Sequence, residues 1–360
     1  MHATRLAGLA LTATLAVVGT VLTTPASPSS SAGAAPPVAQ TPVEIAAKKT
    51  GASLKPGGHG KKGVAPRPIR EYVALGDSWS ADTMFIDANG LPDATHAPLD
   101  CFQSPVNYPK LLAQELKVER FADATCGSAT TVHFSAPQKL PLGGTNPPQF
   151  DRLTARTDLV TMGIGGNDAG IAAAAFDCLS VLPFNVPGIE ALPTLPDLPV
   201  PLLGQKLPLG GCKAFFTQGG TDTLKVAIDA SLPKVVKAIK EVRKRSPHAR
   251  ILLVNYLNAV PAKGCWPLVP ITDPDMGYLH QSFLHLNTML DRAARRTGTE
   301  VADTFAPTVG HDVCAAPNKR YAEALGVTFN DIGIVVPAHP NAAGARAQFR
   351  AVLAQVKKGR

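Results

Sequence analysis

Three short polar clusters lie at points in the sequence where catalytic residues would be placed. Gly76–Ser78 (GDS) follows one apolar stretch, Gly165–Asp168 (GGND) follows another, and His339–Asn341 (HPN) precedes the last amphipathic stretch. A serine on a tight turn can serve as a nucleophile, a histidine as its general base, and an asparagine amide as a hydrogen-bond donor to an oxyanion. Each cluster alone is common in proteins, but the three together predict acyl transfer through a serine nucleophile.

Strands and helices alternate along most of the chain, and this alternation would position the clusters. Apolar runs that predict strands are Glu71–Leu75, Phe121–Ala124, Asp158–Met162, Arg250–Asn255 and Glu300–Asp303. Apolar residues at helical spacing predict helices over Tyr108–Leu116, Thr221–Arg245, Met276–Arg296 and Ala342–Val356. The order indicates an α/β fold with a mostly parallel sheet and helices on both faces. Ligand sites in such sheets lie at the carboxyl ends of strands, where Ser78 and Asn167 are expected.

Local signals refine the helices. Pro233 lies inside the second predicted helix, so we expect a kink or a break into two helices there. Asp273 and Asp275 flank a proline and are interpreted as a turn before the third helix, not as a catalytic carboxylate pair. Asn341 is expected to be the N-cap of the last helix, because asparagine is favoured at that position.

The net charge of +8 comes mostly from the beginning of the chain. Residues 1–69 hold seven Lys or Arg residues and one Glu, whereas residues 70–360 hold 28 basic and 26 acidic residues. A nucleic-acid-binding domain carries clustered basic residues on its folded surface. The nearly neutral charge of residues 70–360 therefore argues against a nucleic-acid partner.

Residues 1–34 have the pattern of a secretion signal, with Arg5, an uncharged apolar stretch from Leu6 to Leu22, and small residues at Ala32–Ala34. A retained membrane anchor is the alternative, because the apolar stretch is just long enough to span a bilayer, for which about 17 residues is the lower limit. Residues 35–69 are rich in Pro, Ala and Lys, and we interpret them as a disordered linker. We expect a secreted protein whose linker makes weak contact with an anionic cell envelope and whose catalytic domain spans residues 70–360.

The stretch from Val181 to Gly211 interrupts the alternation of strands and helices. It contains seven prolines and many leucines. Because so many prolines exclude a long helix or an internal strand, we expect a long apolar loop. Near a catalytic site such a loop could receive acyl chains; the alternative is that it only covers the sheet.

Six cysteines occur in the chain: Cys101, Cys126, Cys178, Cys212, Cys265 and Cys314. An even number in an exported protein predicts disulfides, whose pairing these residues alone leave open. No two cysteines have the CxxC spacing of a zinc site or a redox motif, which argues against both. We therefore expect structural disulfides and no bound metal.

The three clusters in this order, with Tyr72–Ser78 reading YVALGDS, resemble the SGNH (GDSL) hydrolases. The chain is similar to the secreted, disulfide-bonded esterases and lipases of actinobacteria over most of residues 70–360. Supporting stretches are Cys101–Thr131, Gly310–Cys314 and His339–Gly344. The resemblance implies a flavodoxin-like three-layer α/β/α sandwich. It also implies sequential disulfides, namely Cys101–Cys126, Cys178–Cys212 and Cys265–Cys314.

The resemblance also implies a role for each residue of the clusters. Ser78 would be the nucleophile and His339 the base, with no cofactor. The amide of Asn167 and the backbone N–H of Ser78 would form the oxyanion hole. A further backbone donor comes from the segment Cys-Ser-Gly-Ala-Thr in relatives, but this chain reads Cys-Gly-Ser-Ala-Thr. We assign the donor to Gly127, with the N–H of Ser128 as the alternative.

The third member of a catalytic triad departs from the family pattern. Many members carry an Asp three residues before the histidine, where this chain has Val336. We predict that the main-chain carbonyl of Val336 accepts from His339 Nδ1–H, as in some actinobacterial relatives. A carbonyl can select the tautomer and orient the ring, which are main tasks of the triad acid. Asp331 and Asp303 are the alternative acids.

These observations predict a secreted, monomeric serine esterase or lipase that hydrolyses carboxylic esters, of small molecules or lipids, through an acyl-enzyme. We expect lipid acyl esters as substrates. A carbohydrate acetylesterase is one alternative, because this fold hosts both activities. A catalytically inactive envelope-binding protein is the other, because the family Asp is missing.

Overall fold

The computed structural model describes residues 68–86, 88, 90–185, 209–324, 327–328 and 333–358. Several parts of the sequence predictions lie outside the described residues: the signal, almost all of the linker, most of the Val181–Gly211 stretch, and Asp331. The strands are β1 (Glu71–Gly76), β2 (Met84–Ile86), β3 (Arg120–Asp123), β4 (Gln138–Lys139), β5 (Thr145–Asn146), β6 (Leu159–Gly163), β7 (Arg250–Val254), β8 (Glu300–Ala302), β9 (Val327–Thr328) and β10 (Gly333–Val335). The helices are α1 (Ser78–Ala81), α2 (Tyr108–Leu116), α3 (Ile171–Asp177), α4 (Cys212–Phe216), α5 (Thr223–Arg245), α6 (Asp273–Thr297) and α7 (Ala342–Lys358).

The central sheet has five parallel strands in the order β3-β1-β6-β7-β8. All residues of β1 and β6 are buried, because helices cover both faces, and this explains their continuous apolar runs. In the register of β1 and β6, Gly76 lies opposite Gly163. The segments that leave these two strands therefore start side by side, and the predicted parallel sheet is confirmed.

Side chains of the sheet alternate between two apolar layers, as the pleat requires. Val73 and Leu75 of β1 belong to the cluster that contains the buried residues of α5 and α6. Tyr72 and Ala74 belong to the cluster that contains the buried residues of α2 and α7. The fold is therefore the three-layer α/β/α sandwich that the sequence predicted.

Two of the helix predictions need correction. Helix α5 continues through Pro233 without the break into two helices, because a stripe of buried residues continues on both sides of the proline and packs against α6. Helix α6 starts at Asp273, so the residues interpreted as a turn form its first turn. Asp275 is fully buried there and accepts hydrogen bonds from the backbone N–H groups of Gly211 and Lys213.

Three disulfides join the cysteines in the sequential pairs that the family resemblance implied. Cys178–Cys212 ties the base of the Leu/Pro-rich stretch, with a Cα–Cα distance of 4.8 Å. Among the described residues, no helix has both the length and the hydropathy needed to cross a membrane.

Candidate active site

Ser78 lies on a sharp turn between β1 and α1. A Cβ added at Gly76 would lie 2.6 Å from Ser80 Oγ and 2.8 Å from the Gly163 carbonyl oxygen, so the close approach of the backbone requires glycine. The Asp77 side chain accepts from the Trp79 N–H at 3.0 Å and caps α1, so it stabilises the turn. The turn thus places Ser78 at the carboxyl end of the sheet.

The segment that carries the histidine is attached to the segment that follows the serine. Strand β10 pairs antiparallel with β2, which begins shortly after α1. The Val336 N–H donates to the Thr83 carbonyl at 3.1 Å. This pairing brings His339 Nε2 to 2.7 Å from Ser78 Oγ. The structure therefore brings together the predicted nucleophile and base, which are far apart in sequence.

The main-chain acceptor for His339 is Pro337, and the prediction of Val336 is wrong. His339 Nδ1 lies 2.8 Å from the Pro337 carbonyl oxygen. The Val336 carbonyl instead accepts the backbone N–H of His339 at 3.2 Å, which closes the turn. Ala338 adopts a left-handed backbone conformation with φ of 60° inside this turn. The alternative acid Asp303 accepts from Asn255, Phe305 and Ala306 in the loop after β8.

Backbone hydrogen bonds to Glu323 also hold the segment that carries the histidine. Ala338 N–H donates to the Glu323 carbonyl at 2.6 Å, and Glu323 N–H donates to the His339 carbonyl at 3.1 Å. The Glu323 carboxylate accepts from Asn341 Nδ2 and lies 3.3 Å from Arg320, both charged side chains being buried. Asn341 also accepts from the N–H groups at the start of α7, which confirms it as the N-cap.

The candidate oxyanion donors lie in two neighbouring loops. Asn167 Nδ2 donates to the Ala129 carbonyl at 2.9 Å, which ties the loop after β6 to the loop after β3. Gly127 N–H donates to the Cys101 carbonyl at 3.1 Å, so the assignment of Gly127 as a donor is wrong. The backbone N–H groups of Ser78 and Ser128 have no acceptor within the described parts of the chain. Ser128, the alternative donor, is exposed and has φ of 60°.

A family model, the GDSL-like Lipase/Acylhydrolase family, matches residues 74–347. The chain belongs to this family. Lipase 2 of Streptomyces coelicolor is 33% identical over 282 residues, which cover 78% of this chain and 83% of that lipase. An esterase of Streptomyces scabiei is 28% identical over 328 residues, which cover 83% of this chain and 89% of the esterase. Membership of the GDSL family makes the protein a carboxylic ester hydrolase.

Solved structures of similar proteins show the same fold. Phospholipase A1 from Streptomyces albidoflavus has a TM-score of 0.57 at 22% identity, covering 79% of this chain and 99% of that one. The extracellular lipase from Streptomyces rimosus has a TM-score of 0.58 at 21% identity, covering 79% of this chain and 98% of that one. Both matches support the three-layer sandwich of this GDSL hydrolase.

An apolar cavity of about 390 Å³ adjoins the serine and histidine of this GDSL hydrolase. Its wall includes Ser78, Asn167 and His339, and the rest of the lining is mostly aliphatic and aromatic. The aliphatic part comes from α3, the segment between β7 and α6, and α6 itself, including Ile171, Ala175, Val260, Ile271, Leu279 and Leu286. The cavity can therefore receive an apolar group bonded to a carbonyl at Ser78.

His339 and Asp77 are among the ionisable groups of the site whose pKa values are shifted. Burial lowers the pKa of His339 to about 4, and the hydrogen bond to the Pro337 carbonyl opposes this shift. Part of the residue stays exposed to solvent, which limits how far the shift goes. Burial raises the pKa of Asp77 to about 7, and the hydrogen bond from Tyr256 opposes that shift. At neutral pH the imidazole of this GDSL hydrolase is neutral and able to accept a proton.

Sequence reasoning missed two residues of the site. Pro337 directly follows Val336, whose carbonyl was the predicted acceptor. No feature of the two side chains distinguishes one carbonyl oxygen from the other. Tyr256 lies in the cavity wall, two residues after β7, and its hydroxyl contacts Asp77 and Gly166. Its place at the carboxyl end of a strand was the only available signal in the sequence.

Proposed function

We propose that the protein is a secreted serine esterase or lipase that hydrolyses lipid acyl esters through an acyl-enzyme on Ser78. The observation that carries this proposal is the 2.7 Å contact between Ser78 Oγ and His339 Nε2 beside an apolar cavity. A nucleophile within hydrogen-bond reach of an oriented base is the arrangement that acyl transfer needs. We assign this cavity to the acyl chain of the substrate, because its lining is mostly apolar.

The proposed reaction follows from the contacts of the two residues. With the Nδ1 proton held by the Pro337 carbonyl, Nε2 of His339 is free to take the proton of Ser78 Oγ. The oxygen attacks the ester carbonyl, and the N–H groups of Ser78 and Ser128 and the amide of Asn167 would stabilise the oxyanion. The imidazolium then gives its proton to the departing alcohol. A water activated by the same nitrogen hydrolyses the acyl-enzyme.

Export is part of the proposal. Three disulfides among the described residues fit an oxidising compartment, and residues 1–34 have the pattern of a signal. One structural neighbour is an extracellular lipase, and another is a phospholipase A1. We infer that the protein acts outside the cell as a monomer, with the basic linker close to an anionic envelope.

Labelling with a fluorophosphonate tests the proposed function directly. The probe should modify the purified protein at Ser78, identified by mapping the modified peptide, and Ser78→Ala should remove the label. Ser135→Ala, at an exposed serine that does not line the cavity, should label like the wild type. Absence of label on folded wild-type protein would instead favour the inactive binding protein.

Filling the cavity should shorten the acyl chains that the enzyme accepts. Ala175 of α3 lies in the cavity wall, so Ala175→Phe is expected to lower kcat/KM for long p-nitrophenyl esters by roughly 10–100-fold, consistent with a loss of about 1–3 kcal/mol. The acetate ester should be hydrolysed at a nearly unchanged rate. Ala173→Phe, exposed on the same helix, is the matched control and should leave the chain-length profile unchanged. A wild-type preference for acetate would support the carbohydrate acetylesterase.

A further inference from the structure

We propose that Tyr256 is a positioning residue that fixes the oxyanion loop at Asn167 relative to the nucleophile turn at Ser78. Its hydroxyl donates to Asp77 Oδ2 at 2.5 Å and accepts from the Gly166 N–H at 2.8 Å. One oxygen atom thus joins the residue before Ser78 to the residue before Asn167. This inference rests on the proposed function, because it assigns Tyr256 a part in the same reaction.

Tyr256 is itself held firmly, as a positioning residue must be. Its backbone N–H and carbonyl both bond to the side-chain amide of Asn287 on α6, at 2.9 Å each. Its ring is 4% exposed and packs edge-on against Trp79 at a centroid distance of 5.3 Å. The ring position is therefore set by α6 and by the residue after Ser78.

The two loops are built to meet this hydroxyl. A Cβ added at Gly166 would lie 2.9 Å from the Tyr256 oxygen, so only glycine lets the backbone N–H reach it. Asp77 is 1% exposed, and no Lys or Arg pairs with it in the described structure. Its carboxylate instead takes hydrogen bonds from Trp79 N–H and from Tyr256. Both loops thus depend on one side chain for a buried hydrogen bond.

Removing the hydroxyl would act on the reaction through geometry. Tyr256→Phe leaves the Gly166 N–H and Asp77 Oδ2 buried without this partner, which favours movement of the loop that carries the Asn167 amide. A displacement of about 1 Å can cost roughly 10²-fold in rate. The phenyl ring keeps the cavity wall intact, so substrate binding should change little. We therefore expect an effect on kcat and not on KM.

The test compares two buried tyrosines that each lose one hydroxyl. Tyr256→Phe should lower kcat by roughly 10–100-fold with KM within about twofold of the wild type. Tyr72→Phe is the control: its hydroxyl bonds Thr161 at 2.7 Å in the layer of α2 and α7, and its kcat should stay within about threefold. Equal kcat values for the two variants would overturn the proposal.

Two further measurements separate positioning from a general loss of structure. In an Asn167→Ala background the added effect of Tyr256→Phe should shrink to less than about threefold, because the group being positioned is gone. An undiminished effect in that background would overturn the proposal. The Tyr256 hydrogen bond also opposes the rise in the pKa of Asp77, so its loss should raise that pKa further, as followed by NMR titration of the Asp77 carboxyl group in Tyr256→Phe. An unmoved pKa of Asp77 would count against the proposal.

The inference remains testable if Tyr256→Phe does not fold. Gly166→Ala would then place its Cβ against the same hydroxyl and should also lower kcat with little change in KM. Unchanged kcat in that variant would overturn the inference. If wild-type protein hydrolyses no ester, the proposed function fails and this inference with it. If the wild type is active and Tyr256→Phe behaves like Tyr72→Phe, this inference alone fails.

Discussion

Ser78→Ala and His339→Ala should each lower kcat for ester hydrolysis by an amount on the order of 10⁶, and the double variant should be no slower than either. The reason is that the two side chains act as one unit: without the base the hydroxyl is not activated, and without the hydroxyl the base has no proton to take. Initial rates with a p-nitrophenyl ester measure this, with circular dichroism to confirm folding. A His339→Ala variant that kept more than about one per cent of the activity would contradict the assigned base.

The same base predicts the acid limb of the pH profile. Catalysis requires neutral imidazole, and burial lowers the pKa of His339 from 6.5 towards 4. A lowered pKa means that the neutral form persists to lower pH, so the main fall in kcat/KM should lie well below pH 6.5. A main fall centred at or above that value would show that the imidazole is not desolvated in the free enzyme.

Asn167→Ala should lower kcat by roughly 10²–10³-fold, the effect of removing one oxyanion donor. The amide contacts a charge that exists only in the transition state, so KM should change little. Since Asn167 also donates to the Ala129 carbonyl, the free energy of unfolding must be measured alongside. Asn167→Asp is the matched variant: it keeps the size of the side chain but offers no amide donor, and it should be at least as slow.

An Asn167→Ala enzyme with normal kcat would place the oxyanion donors elsewhere. The backbone N–H groups of Ser78 and Ser128 would then be sufficient. The rate of fluorophosphonate labelling offers an independent check, because the probe reaches a comparable negatively charged geometry at Ser78. If Asn167 is an oxyanion donor, the labelling rate of Asn167→Ala should fall in parallel with its kcat.

Much of the fold could be predicted because burial on both faces makes parallel strands continuous apolar runs. Strands β1, β6 and β7 and helix α2 lie within a residue or two of their predicted positions. The carboxyl-end rule then placed Ser78 and Asn167 at one edge of the sheet. The histidine could be predicted from its motif, but its 2.7 Å contact depends on the pairing of β2 with β10, two short strands that leave little periodic signal.

The errors concern backbone groups, whose direction depends on single dihedral angles. The choice between Val336 and Pro337 as acceptor depends on one turn in which Ala338 has φ of 60°. The loss of Gly127 as a donor depends on the direction of the Cys101 carbonyl, which the Cys101–Cys126 disulfide holds beside it. The break at Pro233 does not occur for another reason, since the apolar stripe of α5 outweighed the local cost of the proline. None of these effects has a signature in residue type alone.

The main-chain acceptor at Pro337 has a consequence for how this protein can evolve. A carboxylate that orients a histidine can be lost through one nucleotide change, whereas every amino acid at position 337 would still supply a carbonyl oxygen. The contact to His339 Nδ1 can therefore be lost only through a change in the path of the chain, such as an insertion or deletion between β10 and α7. In this enzyme, a point mutation at position 337 therefore leaves in place the carbonyl oxygen that orients His339.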